Sequence, residues 1–323
     1  MSVGDAPRVV LMGEPLVCLV ADRTGPLVEA ERMLVEVGGA ELNAAVALVR
    51  LGLTAAVVAR TGQDDLGEII VRRARAEGVD VAHVRRDPRP TGLLIRDRRG
   101  FGASTVLYRR AGGAGSALDP GDVEDARATI AAAAWFHTTG ITAALSASSF
   151  AAVEAGLGVA RAAGATTSLD VNYRSKLWSP EEAWSGIARL LPLVDVAMVG
   201  ADEGRLLSGA ADVEALVAAL RERGAREVLV KRGPAGALLV HADGRAECAA
   251  LDVPGALDEV GAGDAFAAGF VAGRLLGRSD ADALAYGACV AAFAVASVGD
   301  IRGLPTRPEV EHALRAGAGG THR

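Results

Sequence analysis

Aromatic side chains are scarce, at 4% of the 323 residues, although half of the chain is apolar. A core made from this sequence must therefore be built from Ala, Val and Leu. Cysteine is also rare: Cys18, Cys248 and Cys289 stand far apart. An odd count without metal-ligand spacing argues against a disulfide framework, and the three read as small core or surface thiols. The five histidines are scattered and form no zinc-like cluster. Lysine occurs only as Lys176 and Lys231, so arginine supplies the rest of the 34 basic residues; this reads as base-composition bias without functional weight. The formal net charge is −6, which excludes the basic face expected of a nucleic-acid binder. The most apolar stretch, residues 283–298, is shorter than the about 20 residues that span a bilayer and reads as a buried helix. Asp5 and Arg8 break any signal-peptide pattern. The expectation is a soluble, cytoplasmic protein with no nucleic-acid and no membrane partner.

Apolar periodicity and turn residues outline the organisation. A first strand is expected over residues 9–20, running through Gly13-Glu14-Pro15, and a helix over 42–51 that ends at Gly52. Residues 54–59 read as a buried strand, and 64–77 as an amphipathic helix closed by Gly78. Segments 81–86, 93–98 and 105–110 are short and separated by Pro88, Pro90, Gly92, Gly100 and Gly102, a pattern that predicts a small antiparallel meander. Strands at 135–139, 167–171, 194–199, 228–231 and 237–241 then alternate with helices. Repeated βα units predict a mainly parallel sheet covered on both faces. The last third is helical, over 262–276, 281–297 and 307–316. There is no internal repeat and no low-complexity linker. The chain reads as one α/β domain over 1–323 whose early β excursion forms a lid over the sheet's carboxyl edge.

The run Gly261-Ala262-Gly263-Asp264 opens an apolar helix. Small residues let the backbone approach a ligand. The first N–H groups of a helix have no internal partner, and with the macrodipole they form an anion site. Such a site stabilises the charge that gathers on a transferring phosphoryl group. Asp264, in the same turn, can accept the proton of an attacking hydroxyl. An ordinary glycine-rich helix start with a dipole-matching Asp explains the four residues alone about as well. There is no Gly-Lys pair for a P-loop, no His-Arg-Asp catalytic loop, and no third glycine of a dinucleotide fingerprint. A second glycine motif, Gly38-Gly39-Ala40-Glu41-Leu42-Asn43, also opens a helix, and Asn43 can both donate and accept.

Together, Gly38-Gly39 with Asn43 and Asp258 with Gly261-Ala262-Gly263-Asp264 resemble the two signatures of the ribokinase (PfkB) family of sugar kinases. The resemblance covers nearly the whole chain. It implies a ribokinase-like three-layer αβα core with a mainly parallel sheet, and a small β-sheet lid near residues 14–38 and 84–115. Within the family, Gly13-Glu14-Pro15-Leu16, residues 108–117, Gly140-Ile141-Thr142, residues 170–174 and residues 297–300 are most similar to members that phosphorylate 2-keto-3-deoxygluconate. The resemblance then implies Asp264 as the base, with Gly261, Ala262 and Gly263 as the anion hole. It implies Gly39, Asn43, Tyr108, Arg110, Ile141, Arg174 and Asp300 around the sugar acid. Asn172, Arg174, Lys231, Gly233, Gly236, Gly261 and Gly263 would hold ATP. Glu203 would help to organise Mg²⁺ through water. The sequence departs from the family at Gly200, usually Asn, and at Glu259-Val260, usually Thr-Thr, which leaves monovalent-cation activation open. It departs again at Leu94, where a tyrosine often faces the substrate.

Some residues also speak without the resemblance. A planar guanidinium binds a carboxylate through two parallel hydrogen bonds, so Arg110 and Arg174 suit an acidic substrate, although surface solvation is the plain alternative. Glu14 interrupts an apolar strand, and a carboxylate there needs a partner. Tyr108 suits a pocket and a packed lid equally. The loop 231–236 is a turn after a strand, and Asp300 is either a turn residue or a ligand. The expected activity is ATP-dependent phosphorylation of a small-molecule sugar or sugar acid. Kinases of fructose, ribose or 2-keto-3-deoxygalactonate are the nearest alternatives, and a non-catalytic sugar or nucleotide sensor is another. An exposed lid edge could pair with a second subunit.

Overall fold

Strand β1 (Arg8–Met12) stops at Gly13-Glu14-Pro15, and the chain leaves its sheet there to begin β2 (Leu16–Thr24) in another. The single strand expected over 9–20 is thus two, because proline and the turn before it break the ladder. The structure, a computed structural model, describes residues 8–99, 105–253 and 260–318. After β2 come β3 (Met33–Gly38), α1 (Ala40–Arg50), β4 (Thr54–Gly62), α2 (Asp65–Ala76), β5 (Asp80–Asp87), β6 (Leu93–Arg98) and β7 (Val106–Arg109). Next are α3 (Pro120–Asp125), α4 (Arg127–Ala131), β8 (Trp135–Thr139), α5 (Gly140–Ala144), α6 (Ala147–Ala162), β9 (Thr166–Asp170) and α7 (Pro180–Leu190). The chain continues through β10 (Val196–Gly200), α8 (Ala201–Ser208), α9 (Val213–Glu222), β11 (Glu227–Lys231), β12 (Ala237–His241) and β13 (Gly244–Cys248). Three helices follow: α10 (Ala262–Leu275), α11 (Asp280–Val295) and α12 (Arg307–Ala318).

Nine strands form the main sheet in the order β13-β12-β11-β10-β9-β8-β1-β4-β5, all parallel except for the β11–β12 and β12–β13 pairings. Alternate strand residues serve opposite faces. Val9 and Leu11 pack under α1, α2, α10, α11 and α12, whereas Val10 and Met12 pack under the helices from α3 to α9. This is the three-layer ribokinase-like α/β arrangement.

The second sheet has the order β3-β2-β6-β7 and forms the lid. It is mixed, since β2 and β6 run parallel. The expected meander therefore needs correction. Residues 81–86 belong to β5, paired parallel with β4 in the main sheet, and only β6 and β7 of that stretch enter the lid. Strand β3 falls in the lid segment 14–38 that the resemblance implies, whereas β13 carries no clear sequence alternation and lies outside the expected strands. Gly100 and Gly102 lie outside the described residues. Among the described residues, no helix is long and apolar enough to cross a membrane.

Helices α10 and α11 pack by close backbone approach. A Cβ on Gly269 would stand 2.8 Å from the Gly287 Cα and 2.9 Å from a Val290 methyl. Few aromatics are needed when helices meet this closely. The contact also anchors α10, whose first turn carries Asp264. Gly269→Ala should lower stability by about 1–3 kcal/mol through overpacking, despite a helix-propensity gain of about 1 kcal/mol. Urea unfolding of the variant measures this, and an unchanged midpoint would contradict the close contact.

Candidate active site

The carboxyl ends of the parallel strands open onto the lid, and the glycine motifs meet there. Gly261 takes φ 78° as the N-cap of α10 and no side chain caps that end. The first N–H groups of α10, those of Ala262, Gly263 and Asp264, thus have no partner inside the helix. Asp264 lies in this first turn. Its Oδ2 accepts a hydrogen bond from Asn43 Nδ2 at 3.0 Å, and its Oδ1 accepts from Asn172 Nδ2 at 3.2 Å. Asn172 Oδ1 in turn accepts from Arg174 Nη2 at 2.8 Å. That pair of contacts fixes the amide orientation, since the flipped form would set oxygen against carboxylate and NH₂ against guanidinium. Asn172 has φ 40°, the one positive value among described non-glycine residues, a strained conformation of the kind held at functional sites. Burial raises the Asp264 pKa above its ordinary value; the Asn43 bond opposes this, and nearby Asp170 adds to it.

A second carboxylate lies beneath. Asp170 ends β9, is 1% exposed, and accepts from Lys231 Nζ on Oδ2 at 2.6 Å. Its Oδ1 is buried without a partner. Burial works against the charge on Lys231, but Asp170 and Glu203 more than offset it, so its pKa is raised. Lys231 ends β11, next to Gly263, where a Cβ would lie 3.4 Å from its Nζ. Glu203 lies in the first turn of α8, taking Gly200 N–H on Oε1 at 2.6 Å and Tyr173 N–H on Oε2 at 2.8 Å. It thereby braces the segment that carries Asn172 and Arg174. Burial and Asp170 raise its pKa.

The residues expected around a sugar acid come from α1, α5, the lid and the segment around Asp300. Gly39 has φ 121°, and a Cβ there would stand 2.4 Å from the Glu14 carbonyl oxygen, so glycine is required. Asp300 lies against Gly38, where a Cβ would approach its Oδ2 to 2.5 Å. Ile141 is buried in α5. Arg110 is buried and forms an ion pair with Glu14. Glu14, buried in the break between β1 and β2, thus finds the partner that its burial demands, and Arg110 meets the site already neutralised. Tyr108 is half-buried, 5.4 Å from the Arg110 guanidinium, and stands across from Leu94 in the β6–β7 register. Leu94 packs with Leu16, Cys18 and Val20 beneath the lid.

A cleft of 590 Å³ lies on the other side of Gly263, lined by Lys231, Gly233, Gly236, Ala262, Phe266 and Ala292 among others. One end is basic and the rest mostly apolar. The start of α10 thus borders this cleft through Ala262 and Gly263. Among the described residues, no three His, Cys, Asp or Glu side chains cluster to hold a metal.

Sequence reasoning assigned no role to Asp170 or Glu41. Asp170 had a usable signal, an acid at the end of a buried parallel strand. Glu41 is buried in α1 and accepts from the hydroxyls of Thr139 and Thr142, both at 2.7 Å. Burial pushes its pKa up to about 7. Nothing local marks it, because its partners lie about a hundred residues away. Asp258 and Glu259 of the late signature lie outside the described residues.

Comparison with known proteins agrees with this geometry. Residues 6–307 match the pfkB family carbohydrate kinase profile. The 2-dehydro-3-deoxygluconokinase of Thermoproteus tenax is 37% identical over 95% of this chain and 94% of its own length. That of Bacillus subtilis is 35% identical over 95% of each. The 2-dehydro-3-deoxygalactonokinase of Haloferax volcanii is 35% identical over 98% of this chain and 99% of its own. A putative ribokinase II from E. coli, crystallised with ATP and Mg²⁺, superposes with a TM-score of 0.86 at 26% identity, covering 96% of this chain and 99% of that one. With both glycine motifs brought to one carboxylate and the family profile spanning nearly its whole length, this chain belongs to the PfkB family of carbohydrate kinases.

Proposed function

We propose that this kinase transfers the γ-phosphoryl group of ATP to the terminal hydroxyl of 2-keto-3-deoxygluconate, with Asp264 as general base. The observation that carries the reading is the position of Asp264: in the first turn of α10, bonded by Asn43 from one side and Asn172 from the other. The sugar hydroxyl gives its proton to Asp264 as its oxygen attacks the γ-phosphorus in line. The N–H groups of Ala262 and Gly263 stabilise charge on the phosphoryl oxygens. Lys231 holds the phosphate chain, and the apolar cleft beside Phe266 takes the base. Asn43 Oδ1, buried without a protein partner, can accept from a sugar hydroxyl. Gly39, Tyr108, Ile141 and Asp300 complete the sugar pocket, and the lid excludes water from the transfer.

The unpartnered Oδ1 of Asp170, with Glu203 nearby, suits Mg²⁺, which is commonly held by one or two carboxylates, waters and substrate phosphates rather than an all-protein cage. When bound, the ion neutralises phosphate charge. The choice of a sugar acid rests on the curated relatives and on Arg174, since Arg110 is already paired with Glu14. Arg174 makes no ion pair among the described residues and bonds only the neutral Asn172 amide. The epimer 2-keto-3-deoxygalactonate is a second reading, favoured by the Haloferax volcanii relative.

Asp264→Asn should cut turnover by about 10²–10⁴-fold while sparing ATP binding; an ADP-release assay with isothermal titration of ATP checks both, and near-normal turnover sinks the assignment. Arg174→Ala should raise KM for 2-keto-3-deoxygluconate by about 10–100-fold, the loss of a charge-assisted contact. An equal effect on fructose would remove the acid reading. The raised pKa of Asp264 places the acid limb of kcat above the ordinary carboxylate range, because the base works only when ionised. Asn43 donates to the ionised form, so Asn43→Ala should move that limb to still higher pH. A limb that stays put or falls contradicts the assignment of Asn43.

A further inference from the structure

Of the two lysines of this arginine-rich chain, Lys231 lines the cleft and Lys176 is exposed on a turn beside the lid. Lys231 is accounted for by Asp170. Lys176 lies in the turn 174–177, closed by the Leu177 N–H to the Arg174 carbonyl at 2.9 Å, two residues after Arg174. From there its ammonium reaches the lid, donating to the Val106 carbonyl at 2.9 Å. It also stands 5.7 Å from the centre of the Tyr108 ring, which the Arg110 guanidinium approaches to 5.4 Å.

The accepting carbonyl is informative. Strand β7 is an edge strand of the lid, paired only with β6. The Thr105 carbonyl faces β6, since it accepts from Asp97 N–H at 3.2 Å. Successive carbonyls point to opposite sides of a strand, so that of Val106 points off the open edge. An exposed side chain from the main body of the fold therefore fills a bonding position that the lid sheet leaves empty. An ammonium suits this double duty, being a compact donor that can bond one oxygen while attracted to a ring face. A guanidinium carries the same charge on a wide planar fork.

We propose that Lys176 is a positioning residue that ties lid strand β7 to the core and sets Tyr108 over the sugar pocket. It does not touch the reacting atoms. Its contribution is to order the lid before the sugar arrives, so that less freedom is lost on binding. The inference rests on the kinase fold and on the lid, and not on which sugar is phosphorylated.

Lys176→Met keeps the stem and removes the ammonium. In the protein without ligands, amide hydrogen exchange across residues 105–110 should quicken at least about threefold, while the main-sheet strands keep wild-type protection. In steady-state assays, KM for 2-keto-3-deoxygluconate should rise about tenfold, with kcat and KM for ATP within about twofold of wild type. Unchanged exchange over 105–110 overturns the proposal, and so does a fall in kcat with an unchanged sugar KM. The exchange measurement needs no substrate, so it decides the role of Lys176 even if this sugar acid is not turned over.

Discussion

One carboxylate, held by two asparagines from distant parts of the chain, organises this molecule. Asn43 comes from the first helix and Asn172 from the segment after β9, and Asp264 opens α10 between them. Each amide donates one hydrogen and thereby sets the direction of the acid's lone pairs. Such a bond contributes only about 1 kcal/mol to stability, but its directional effect is large. A base misplaced by a fraction of an ångström loses much of its rate advantage. The strained φ of Asn172 and the brace that Glu203 gives to Tyr173 both serve this geometry.

The electrostatics follow from the same requirement. A site that transfers a phosphoryl group must receive a polyanion without exposing so much positive charge that its own carboxylates are pinned. Here Lys231 is balanced by Asp170, and Arg110 by Glu14. What faces the open cleft is a set of weaker positive sources: the helix start and the partly committed ammonium of Lys231, with Arg174 bonded to Asn172 beside Asp264. Burial pushes the Asp264 carboxyl toward its neutral form, while the amide donor keeps the ionised form accessible. The buried Glu14–Arg110 pair also shows why counting arginines overstates the charge available to a substrate.

The large sheet was readable because its strands are continuous apolar runs between helices of clear periodicity. The lid was not readable to the same degree. Strand β2 follows β1 after three residues with no change of composition, yet it joins another sheet. Strand β5 carries charged residues like β6 and β7, yet its neighbour is β4. Pairing partners of edge strands are chosen by which surface needs covering, and short polar strands carry little of that information locally. At the site, the glycine runs were visible because close approach demands glycine. Glu41 was invisible because its partners Thr139 and Thr142 are remote in the chain.

The sequence by itself determined the chemistry that is possible: an anion site at a helix start, an acid within it, a second glycine motif, and an α/β frame to hold them. These are local properties of backbone and side chain, legible wherever the residues stand. Only the tertiary structure decided which charges remain available. It paired Glu14 with Arg110, left one oxygen of Asp170 without a partner, joined Arg174 through Asn172 to Asp264, and carried Lys176 to the lid. The reason is physical: the state of a charge depends on what lies within a few ångströms of it, and those neighbours come from every part of the chain.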